Sequence, residues 1–267
     1  MRKICLFLSL ILLIPGVAFA SFRFVQITDT HGGRHEAGNV AIAKLVQDLI
    51  TLNPKPAFVI CTGDFVETGL DWEYDKYLPL LKPLADANIP IYHVPGNHES
   101  RWAARIKKDY TDNLGLAYSH LEYQGHHFLL LDTSFVPEAY GHLETEQLNW
   151  LAGELQKIGP NAPVWAFSHH PLGFRSRFTD NDLEAVYRLL PYNFILGMSG
   201  HGHINERWHI EGREFFMCKA GDQGGYTIVD VEATKATVLY KLVGQAAQYC
   251  FEVPIPTKQK SQVTISL

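Results

Sequence analysis

Apolar runs alternate with helical patterns from residue 22 to about residue 198 of this 267-residue chain. Such alternation is typical of a layered α/β fold, in which helices cover the faces of a sheet. Strands are predicted at residues 22–28, 57–61, 89–94, 117–123, 127–131, 163–168 and 194–199. Helices are predicted at residues 40–52, 72–87, 103–114, 144–157 and 180–189.

The pattern changes after residue 200, where short segments rich in β-branched and aromatic residues are separated by turn residues such as Gly224 and Gly225. This pattern predicts hairpins that complete a second sheet packed on the first. No repeat or linker marks a boundary, so one domain is expected at residues 21–256, followed by a frayed C-terminal tail at residues 257–267. The late strands are predicted at residues 207–210, 214–219, 226–231 and 236–242.

The first twenty residues have the pattern of a secretory leader. Basic Arg2 and Lys3 precede an apolar run that ends before Pro15, and a small-x-small motif ends at Ala20. We therefore expect a signal peptide at residues 1–20, cleaved after Ala20, and export to the periplasm or the medium. The alternative is an uncleaved membrane anchor, although the run is short for a membrane span. After cleavage we expect no stable membrane association.

Composition excludes several classes of protein. With 46% hydrophobic and 19% charged residues, the chain is neither disordered nor fibrous. A net charge of −5 and the lack of a long Lys/Arg run argue against binding of duplex nucleic acid, which depends on neutralising phosphates. No CxxC spacing occurs, so neither a disulfide scaffold nor a structural zinc site is predicted. Pairing between Cys218 and Cys250 stays open.

Five of the predicted strands are followed immediately by residues of types that bind metals. Open α/β sheets bind ligands at the carboxyl ends of their strands. A single Asp or His there is usually a cap or turn residue, but five such segments in one structural position are hard to explain as turns. Their mixed nitrogen and oxygen donors suit Mn, Fe or Zn. The segments are Asp29-Thr30-His31, Gly63-Asp64, Gly96-Asn97-His98-Glu99, His169-His170-Pro171 and Gly200-His201-Gly202-His203.

In this order and spacing, the five segments resemble the signature blocks of the calcineurin-like metallophosphoesterase superfamily. The resemblance covers residues 22 to about 210. Asp132, followed by Gln147 and Trp150-Leu151, is similar to the branch of purple acid phosphatases and cyclic-nucleotide phosphodiesterases. The resemblance implies a metallo-dependent phosphatase-like fold, a four-layer α/β/β/α sandwich of two mixed β-sheets flanked by helices.

The resemblance also implies a centre of two transition metals, divalent or of mixed valence. Such a centre hydrolyses small phosphomonoesters or phosphodiesters by attack of a hydroxide held between the metals. His98 is implied to protonate or steady the leaving oxygen. The implied ligands are Asp29, His31 and His203 for the first metal, Asn97, His169 and His201 for the second, and Asp64 as the bridge.

Several assignments keep alternatives. His170 competes with His169 as a ligand. Asp132 and Glu99 are either turn and helix caps or supports of the site. Three residues are expected to contact the substrate. His35 lies just after the first ligands, and Arg175 and Arg177 lie close to Phe174 and Phe178, which can stack on a base.

The sequence departs from the patterns of two subfamilies at one position each, which narrows the choice of subfamily. Glu67 stands where purple acid phosphatases place a tyrosine, and Pro95 stands where serine/threonine phosphatases place an arginine. The residues do not separate a monoesterase from a diesterase or from a nucleotide pyrophosphatase, because all three use the same metals. The rival from another class is a metal-binding scaffold without turnover.

Overall fold

Two six-stranded mixed sheets pack face to face, and helices cover their outer faces. This computed structural model describes residues 21–102, 105, 107–136, 138–176 and 178–256. The predicted leader and tail lie outside the described residues. The predicted α/β fold class with two mixed sheets and flanking helices is confirmed.

The strands and helices have the following bounds. The strands are β1 (Phe22–Ile27), β2 (Phe58–Thr62), β3 (Ile91–Val94), β4 (Ser119–Tyr123), β5 (His126–Leu131), β6 (Val164–Ser168), β7 (Phe194–Ser199), β8 (Glu206–Ile210), β9 (Arg213–Met217), β10 (Gly225–Val231), β11 (Lys235–Leu242) and β12 (Gln248–Pro254). The helices are α1 (Glu36–Ile50), α2 (Asp71–Tyr77), α3 (Lys82–Asp86), α4 (Asn97–Arg101), α5 (Lys108–Leu114), α6 (Thr145–Ile158) and α7 (Asp182–Leu189).

The first sheet has the order β12-β11-β10-β1-β2-β3, and the second has the order β4-β5-β6-β7-β9-β8. Each sheet contains one run of neighbouring parallel strands: β1, β2 and the edge strand β3 in the first, and β5, β6, β7 and β9 in the second. Parallel strands end at the same edge of a sheet. The loops that carry the predicted ligands therefore leave both sheets at their carboxyl edges.

Aromatic side chains fill the space between the two sheets. Phe24 stacks on Phe58 with ring centroids 5.5 Å apart, and both contact Phe128 edge to face. Trp165 meets Phe24 at 5.5 Å and is fully buried. Large rings bury much apolar area per residue, so this layer holds the two sheets together and fixes the distance between their ligand-bearing edges.

Helices pack on the outer faces through stripes at helical spacing. In α1 the buried residues are Ile42, Leu45, Val46 and Leu49, which lie against the first sheet. The stripe of α6 packs against the second sheet. Each stripe follows the i, i+3, i+4, i+7 pattern expected of a helix with one buried face.

Three details of the predicted secondary structure are wrong. The helix predicted at residues 72–87 is broken into α2, a 3₁₀ turn and α3, because Pro79 and Pro83 lack an N–H and each begins a new segment. The strands after residue 200 are divided between the sheets: β8 and β9 join the second, whereas β10 and β11 join the first beside β1. The edge strand β12 was not predicted.

Two smaller points concern membranes and cysteines. Within the described residues, no helix combines the length and apolar character needed to cross a bilayer. Cys61, Cys218 and Cys250 are free thiols, and the Thr227 hydroxyl donates to Cys218 Sγ at 2.9 Å.

His93 of β3 offers a test of the fold. The ring packs against Phe65, its Nε2 lies 3.1 Å from the Tyr77 hydroxyl, and burial lowers the pKa of His93 to about 3. The unfolded chain binds this proton below about pH 6.5 but the folded chain does not, so the contribution to stability is full above that pH and is lost as the pH falls. Between pH 7.5 and pH 5, the free energy of unfolding of His93→Gln should fall by about 1–2 kcal/mol less than that of the wild type. Urea unfolding at both pH values measures this difference.

The matched control is His209→Gln, which replaces an exposed histidine. Its loss of stability with pH should follow that of the wild type. Identical pH curves for His93→Gln and the wild type would contradict the prediction.

Candidate metal centre

The loops after five strands converge on one cluster. Asp29 and His31 follow β1, Asp64 follows β2, and Asn97 begins α4 just after β3. His169 follows β6, and the segment containing His201 and His203 follows β7. The first sheet thus supplies mostly oxygen donors and the second sheet only imidazoles. The seven predicted ligands are brought together by the packing of the two sheets.

One group of donors consists of Asp29, His31 and His203. Asp29 Oδ1 faces His203 Nε2 at 3.1 Å, and contact with Asp29 raises the pKa of His203. Asp29 Oδ2 is already occupied, since it accepts hydrogen bonds from the Thr28 hydroxyl at 2.6 Å and from the His201 N–H at 3.0 Å. Within the described structure, Asp29 Oδ1 and His31 Nδ1 are buried without a hydrogen bond of good geometry, and their nearest polar neighbours are His203 Nε2 at 3.1 Å and Glu67 Oε2 at 3.4 Å. Such orphaned donor atoms fit a bound cation.

A second group consists of Asn97, His169 and His201. Asn97 Oδ1 lies 3.1 Å from His169 Nε2 and 3.0 Å from His201 Nδ1, and the two ring nitrogens are 3.2 Å apart. His169 Nδ1 donates to the Thr62 carbonyl at 2.8 Å, which fixes the tautomer and leaves Nε2 directed at the cluster. Burial lowers the pKa of His201 to about 4, so its ring is neutral and offers a lone pair.

Asp64 lies between the two groups. Its Oδ2 is 3.1 Å from His169 Nε2, and its carboxylate forms one donor group with Asp29 and His169. Burial opposes ionisation of Asp64, but the positive charge of His169 lowers the pKa of Asp64 below its usual range. Burial also opposes protonation of His169, yet contact with Asp64 raises the pKa of His169 to about 9. Asp64 thus lies close to both Asp29 of the first group and His169 of the second.

The backbone of these loops is held in an uncommon conformation. Non-glycine residues rarely adopt positive φ, because Cβ then approaches the backbone. Here the β1 and β2 loops pair with each other through three backbone hydrogen bonds, which run from the N–H groups of Asp29, His31 and Gly32 to the carbonyls of Gly63, Asp64 and Phe65 respectively. Five predicted ligands have φ between 47° and 69°: Asp29, His31, Asp64, His201 and His203.

Gly96 is required by the same close packing. A Cβ at this position would lie 2.2 Å from Asp64 Oδ1 and 2.6 Å from the Asp64 backbone nitrogen. A real side chain cannot be accommodated there without moving the carboxylate. The glycine before Asn97 therefore lets the β3 loop approach the proposed bridge.

Glu99 connects the loops that follow β2 and β3. Its fully buried carboxylate accepts hydrogen bonds from the backbone N–H groups of Asp64 at 2.9 Å, Val66 at 3.0 Å and Gly96 at 2.7 Å. The bond to Gly96 caps the start of α4, and the other two hold the loop that carries Asp64. Both roles that the sequence left open for Glu99, helix cap and support of the site, are present together.

His98 lies beside the cluster with one ring nitrogen free. Its Nδ1 donates to the Glu67 carbonyl at 2.6 Å, and its backbone N–H donates to Asp64 Oδ1 at 2.9 Å. Its Nε2 lies 3.9 Å from Asp64 Oδ2, and the ring packs against His31 with centroids 4.6 Å apart. The geometry directs His98 Nε2 at the space next to the proposed bridge.

Comparison with known proteins identifies the family. The family model described as calcineurin-like phosphoesterase matches residues 22–205, more than half of the chain. The chain belongs to the calcineurin-like phosphoesterase family. The family resemblance predicted from the sequence is therefore confirmed.

Three matches illustrate the relationship. The chain is 33% identical over 164 residues to a probable glycerophosphodiester phosphodiesterase of Arcobacter nitrofigilis, covering 55% of this chain and 56% of that protein. It is 26% identical over 204 residues to a 3′,5′-cyclic adenosine monophosphate phosphodiesterase of Haemophilus influenzae, covering 70% and 72%. A crystal structure of a dimetal phosphatase from Danio rerio has a TM-score of 0.68 at 13% identity, covering 89% and 99%. The match to the first relative spans little more than half of its length, and the likeness to the third shows the shared fold.

The ring nitrogens of His169 and the adjacent His170 have different surroundings in the structure. His170 is buried, and its Nε2 donates to the Ala139 carbonyl at 3.1 Å while its Nδ1 lies 2.9 Å from the Thr133 hydroxyl. Both ring nitrogens of His170 are thus engaged by protein groups, whereas His169 Nε2 faces the cluster. The geometry favours His169 as the ligand in this family member.

Asp132 serves as a turn cap. Its Oδ1 accepts from the backbone N–H and the hydroxyl of Ser134, and its Oδ2 pairs with Lys107 at 2.6 Å. Gln147 holds the Asp132 backbone in place through two hydrogen bonds of 2.7 Å. These contacts favour the cap over the support of a ligand.

The predicted substrate contacts have different outcomes. His35 lines an open cleft of about 550 Å³ together with His31, His98 and His203. Arg175 instead pairs with Glu206 and lies over the Phe174 ring, so in the described structure it makes no contact with the cluster. Arg177 lies outside the described residues.

Sequence reasoning missed three side chains around the centre. Glu67 Oε2 lies 3.4 Å from His31 Nδ1, and Asp222 lines the same cleft. The Trp102 ring packs against His98 with centroids 4.7 Å apart. Glu67 was noted only as a departure from a pattern, and nothing in the periodicity around Trp102 indicates its contact.

Glu99 provides a test of how the loops are held. Glu99→Gln keeps the shape of the side chain but replaces one oxygen by an NH₂ group, which leaves at least one buried backbone N–H without an acceptor. We expect a loss of about 2–3 kcal/mol in the free energy of unfolding, measured with urea.

The control is Glu184→Gln on the surface of α7, where the carboxylate is exposed and its partner Arg188 is 3.7 Å away. It should change stability by less than about 0.5 kcal/mol. Equal stabilities of the two variants would show that the Glu99 hydrogen bonds do not hold the loops.

Proposed function

We propose that this chain is an exported, dinuclear metal-dependent phosphoesterase that hydrolyses phosphodiesters or phosphomonoesters of small molecules. The single observation that carries the proposal is the pair of donor groups that share Asp64. One group is Asp29, His31 and His203, and the other is Asn97, His169 and His201. Two cations held close together need an anionic ligand between them, and Asp64 has the position for that role.

The residues present fit two transition metals. Asp29 Oδ1 and His31 Nδ1 are buried without hydrogen bonds of good geometry, and His169 and His201 direct ring nitrogens at one point. Nitrogen and oxygen donors without thiolates suit Mn, Fe or Zn. When bound, the metals would supply Lewis acidity and lower the pKa of a shared water.

The side chains of the protein supply orientation and a proton. In the imidazolium form, His98 holds one proton on Nδ1, where the Glu67 carbonyl accepts it, and a second on Nε2, which faces the site. In hydrolysis, water adds a hydroxyl group to phosphorus, the phosphorus–oxygen bond to the alcohol breaks, and the leaving oxygen takes the Nε2 proton. The proton lost by water then restores His98 by way of the solvent. Such a general acid contributes about 10²–10⁴-fold.

Two of the sequence relatives favour diesters among the possible substrates, whereas two serine/threonine-protein phosphatases match a larger share of this chain. The two sequence relatives described above are named for glycerophosphodiesters and for a cyclic nucleotide, and both are phosphodiesters. The cleft beside His98 is open, with His31, His35 and His203 on its walls. We therefore propose a small phosphodiester as the preferred substrate. Export is proposed from the leader pattern of residues 1–20.

Metal loading gives the first test. The purified protein should contain about two transition-metal ions per chain and hydrolyse bis(4-nitrophenyl) phosphate. Chelation should abolish hydrolysis, and Mn, Fe or Zn should restore it. Elemental analysis and a chromogenic assay measure the two quantities. A metal-replete protein that hydrolyses no member of a panel of phosphate mono- and diesters would instead support the scaffold without turnover.

Two variants separate metal binding from proton donation. Asp64→Ala removes the shared ligand and should lose both the metals and the activity. His98→Ala should keep most of the metal and lower kcat by about 10²–10⁴-fold. The control, His209→Ala, replaces an exposed histidine and should retain both. Equal metal loss in the Asp64 and His98 variants would remove His98 from the proton-donor role.

A further inference from the structure

An exposed tryptophan lies next to the proposed proton donor. Trp102 ends α4, and 46% of its surface is exposed. Its ring meets the His98 ring nearly edge to face, with centroids 4.7 Å apart and an angle of 71°. His98 also contacts the proposed ligand His31. His98 therefore connects the cluster to an indole that faces solvent.

Trp102 differs in this respect from the other exposed aromatic residues. Trp72 is similarly exposed, at 40%, and carries a cation, since Lys76 Nζ lies 4.7 Å from its ring centroid. Tyr140 packs against Phe135. Within the described part of the chain, Trp102 is the exposed aromatic side chain that touches a residue of the candidate centre.

The sequence suggested Phe174 and Phe178 as rings that can stack on a base, but both are less exposed than Trp102. Phe174 is buried, because it stacks on Phe178 at 5.6 Å and meets Trp208 at 4.9 Å. The Phe178 ring also contacts the His201 ring, with centroids 4.9 Å apart. A base cannot reach the face of Phe174 without separating it from these neighbours. Of the two rings that contact residues of the candidate centre, Phe178 is half-buried and Trp102 is the more exposed.

We propose that Trp102 is a stacking surface for substrates that carry a flat ring, such as a nucleobase or an aryl group, on the alcohol side of the phosphoester. The inference rests on the proposed function and names the substrate class for that site. A proton passes from His98 Nε2 only when the leaving oxygen is within about 3 Å of it. The group attached to that oxygen then lies within reach of the indole.

Arg101 adds to the same surface. Its guanidinium carbon lies 4.8 Å from the Trp102 ring centroid, so a cation and an aromatic ring are adjacent beside His98. Aromatic and guanidinium groups both stack on nucleobases, and they do so with little preference for the base. A glycerol group has no flat face and gains little from either. The two kinds of phosphodiester named for the relatives are thus expected to respond differently to loss of the ring.

The experiment compares two diesters in matched variants. The ratio of kcat/KM for 3′,5′-cyclic AMP to kcat/KM for glycerophosphoethanolamine is measured for the wild type, Trp102→Ala and Trp102→Phe, with metal content checked in each. Trp102→Ala should lower the ratio about tenfold or more, and Trp102→Phe should recover part of it. The control, Trp72→Ala, also removes an exposed indole that carries a cation, and it should leave the ratio as in the wild type.

A binding measurement gives an answer that does not depend on turnover. By calorimetry on the metal-loaded protein, Trp102→Ala should weaken binding of 5′-AMP about tenfold or more relative to binding of glycerol 3-phosphate. If the metal-replete wild type hydrolyses no member of the panel of phosphate mono- and diesters but Trp102 still governs 5′-AMP binding, the proposed function fails and the stacking surface stands. If Trp102→Ala affects both substrates and both ligands equally, the stacking surface is overturned.

Discussion

Two carboxylates buried side by side impose the main constraint on this structure. Asp29 and Asp64 have almost no exposed surface, and burial of an unpaired carboxylate is strongly unfavourable. Both therefore need positive or hydrogen-bonding partners in the same small volume. The partners are His169 and His203, each 3.1 Å away, and backbone N–H groups of His98 and His201. Much of the architecture can be understood as the means of bringing these partners to the carboxylates.

The two sheets divide that task. The first sheet carries both carboxylates on neighbouring parallel strands, so a single strand spacing separates them, and the second sheet brings the imidazoles across the aromatic interface. Neither sheet can form the cluster by itself. The backbone adopts positive φ at five of these residues, and the pairing between the β1 and β2 loops and the Glu99 carboxylate hold that conformation. Strain at the site is thus offset by hydrogen bonds just outside it.

The sequence was most informative where a local pattern determines the result. Polar residues at strand ends could be located from apolar runs alone, and parallel strands bring such ends together. The resemblance to the family then named seven of these residues as expected ligands, and the structure places the seven side chains in one cluster. The break at Pro79 and Pro83 also had a readable signal, which the apolar spacing of residues 72–87 concealed. The edge strand β12 alternates between buried and exposed residues from Phe251 to Pro254, a readable signal that the prediction did not use.

Other features depend on contacts between distant residues and had no local signal. Which sheet receives a late strand depends on pairing partners far away in the chain, as for β10 beside β1. The choice between His169 and His170 follows from the Thr62 and Ala139 carbonyls, which lie on other segments. The contact between Trp102 and His98 depends on side-chain rotamers in a single short helix. Such features become visible only when side chains are placed.

The charges around the cleft connect substrate binding to metal loading. The chain is acidic overall, and Glu67 and Asp222 add two carboxylates to the cleft wall beside the buried Asp29 and Asp64. These four negative groups repel a phosphate, and the cleft-lining residues include no lysine or arginine to oppose them. Two divalent cations would formally neutralise the four carboxylates, and the phosphate would then bind as a ligand of those cations. Affinity for an anionic substrate should therefore be a property of the metal-loaded centre, while the surrounding aromatic and imidazole groups select what the phosphate carries.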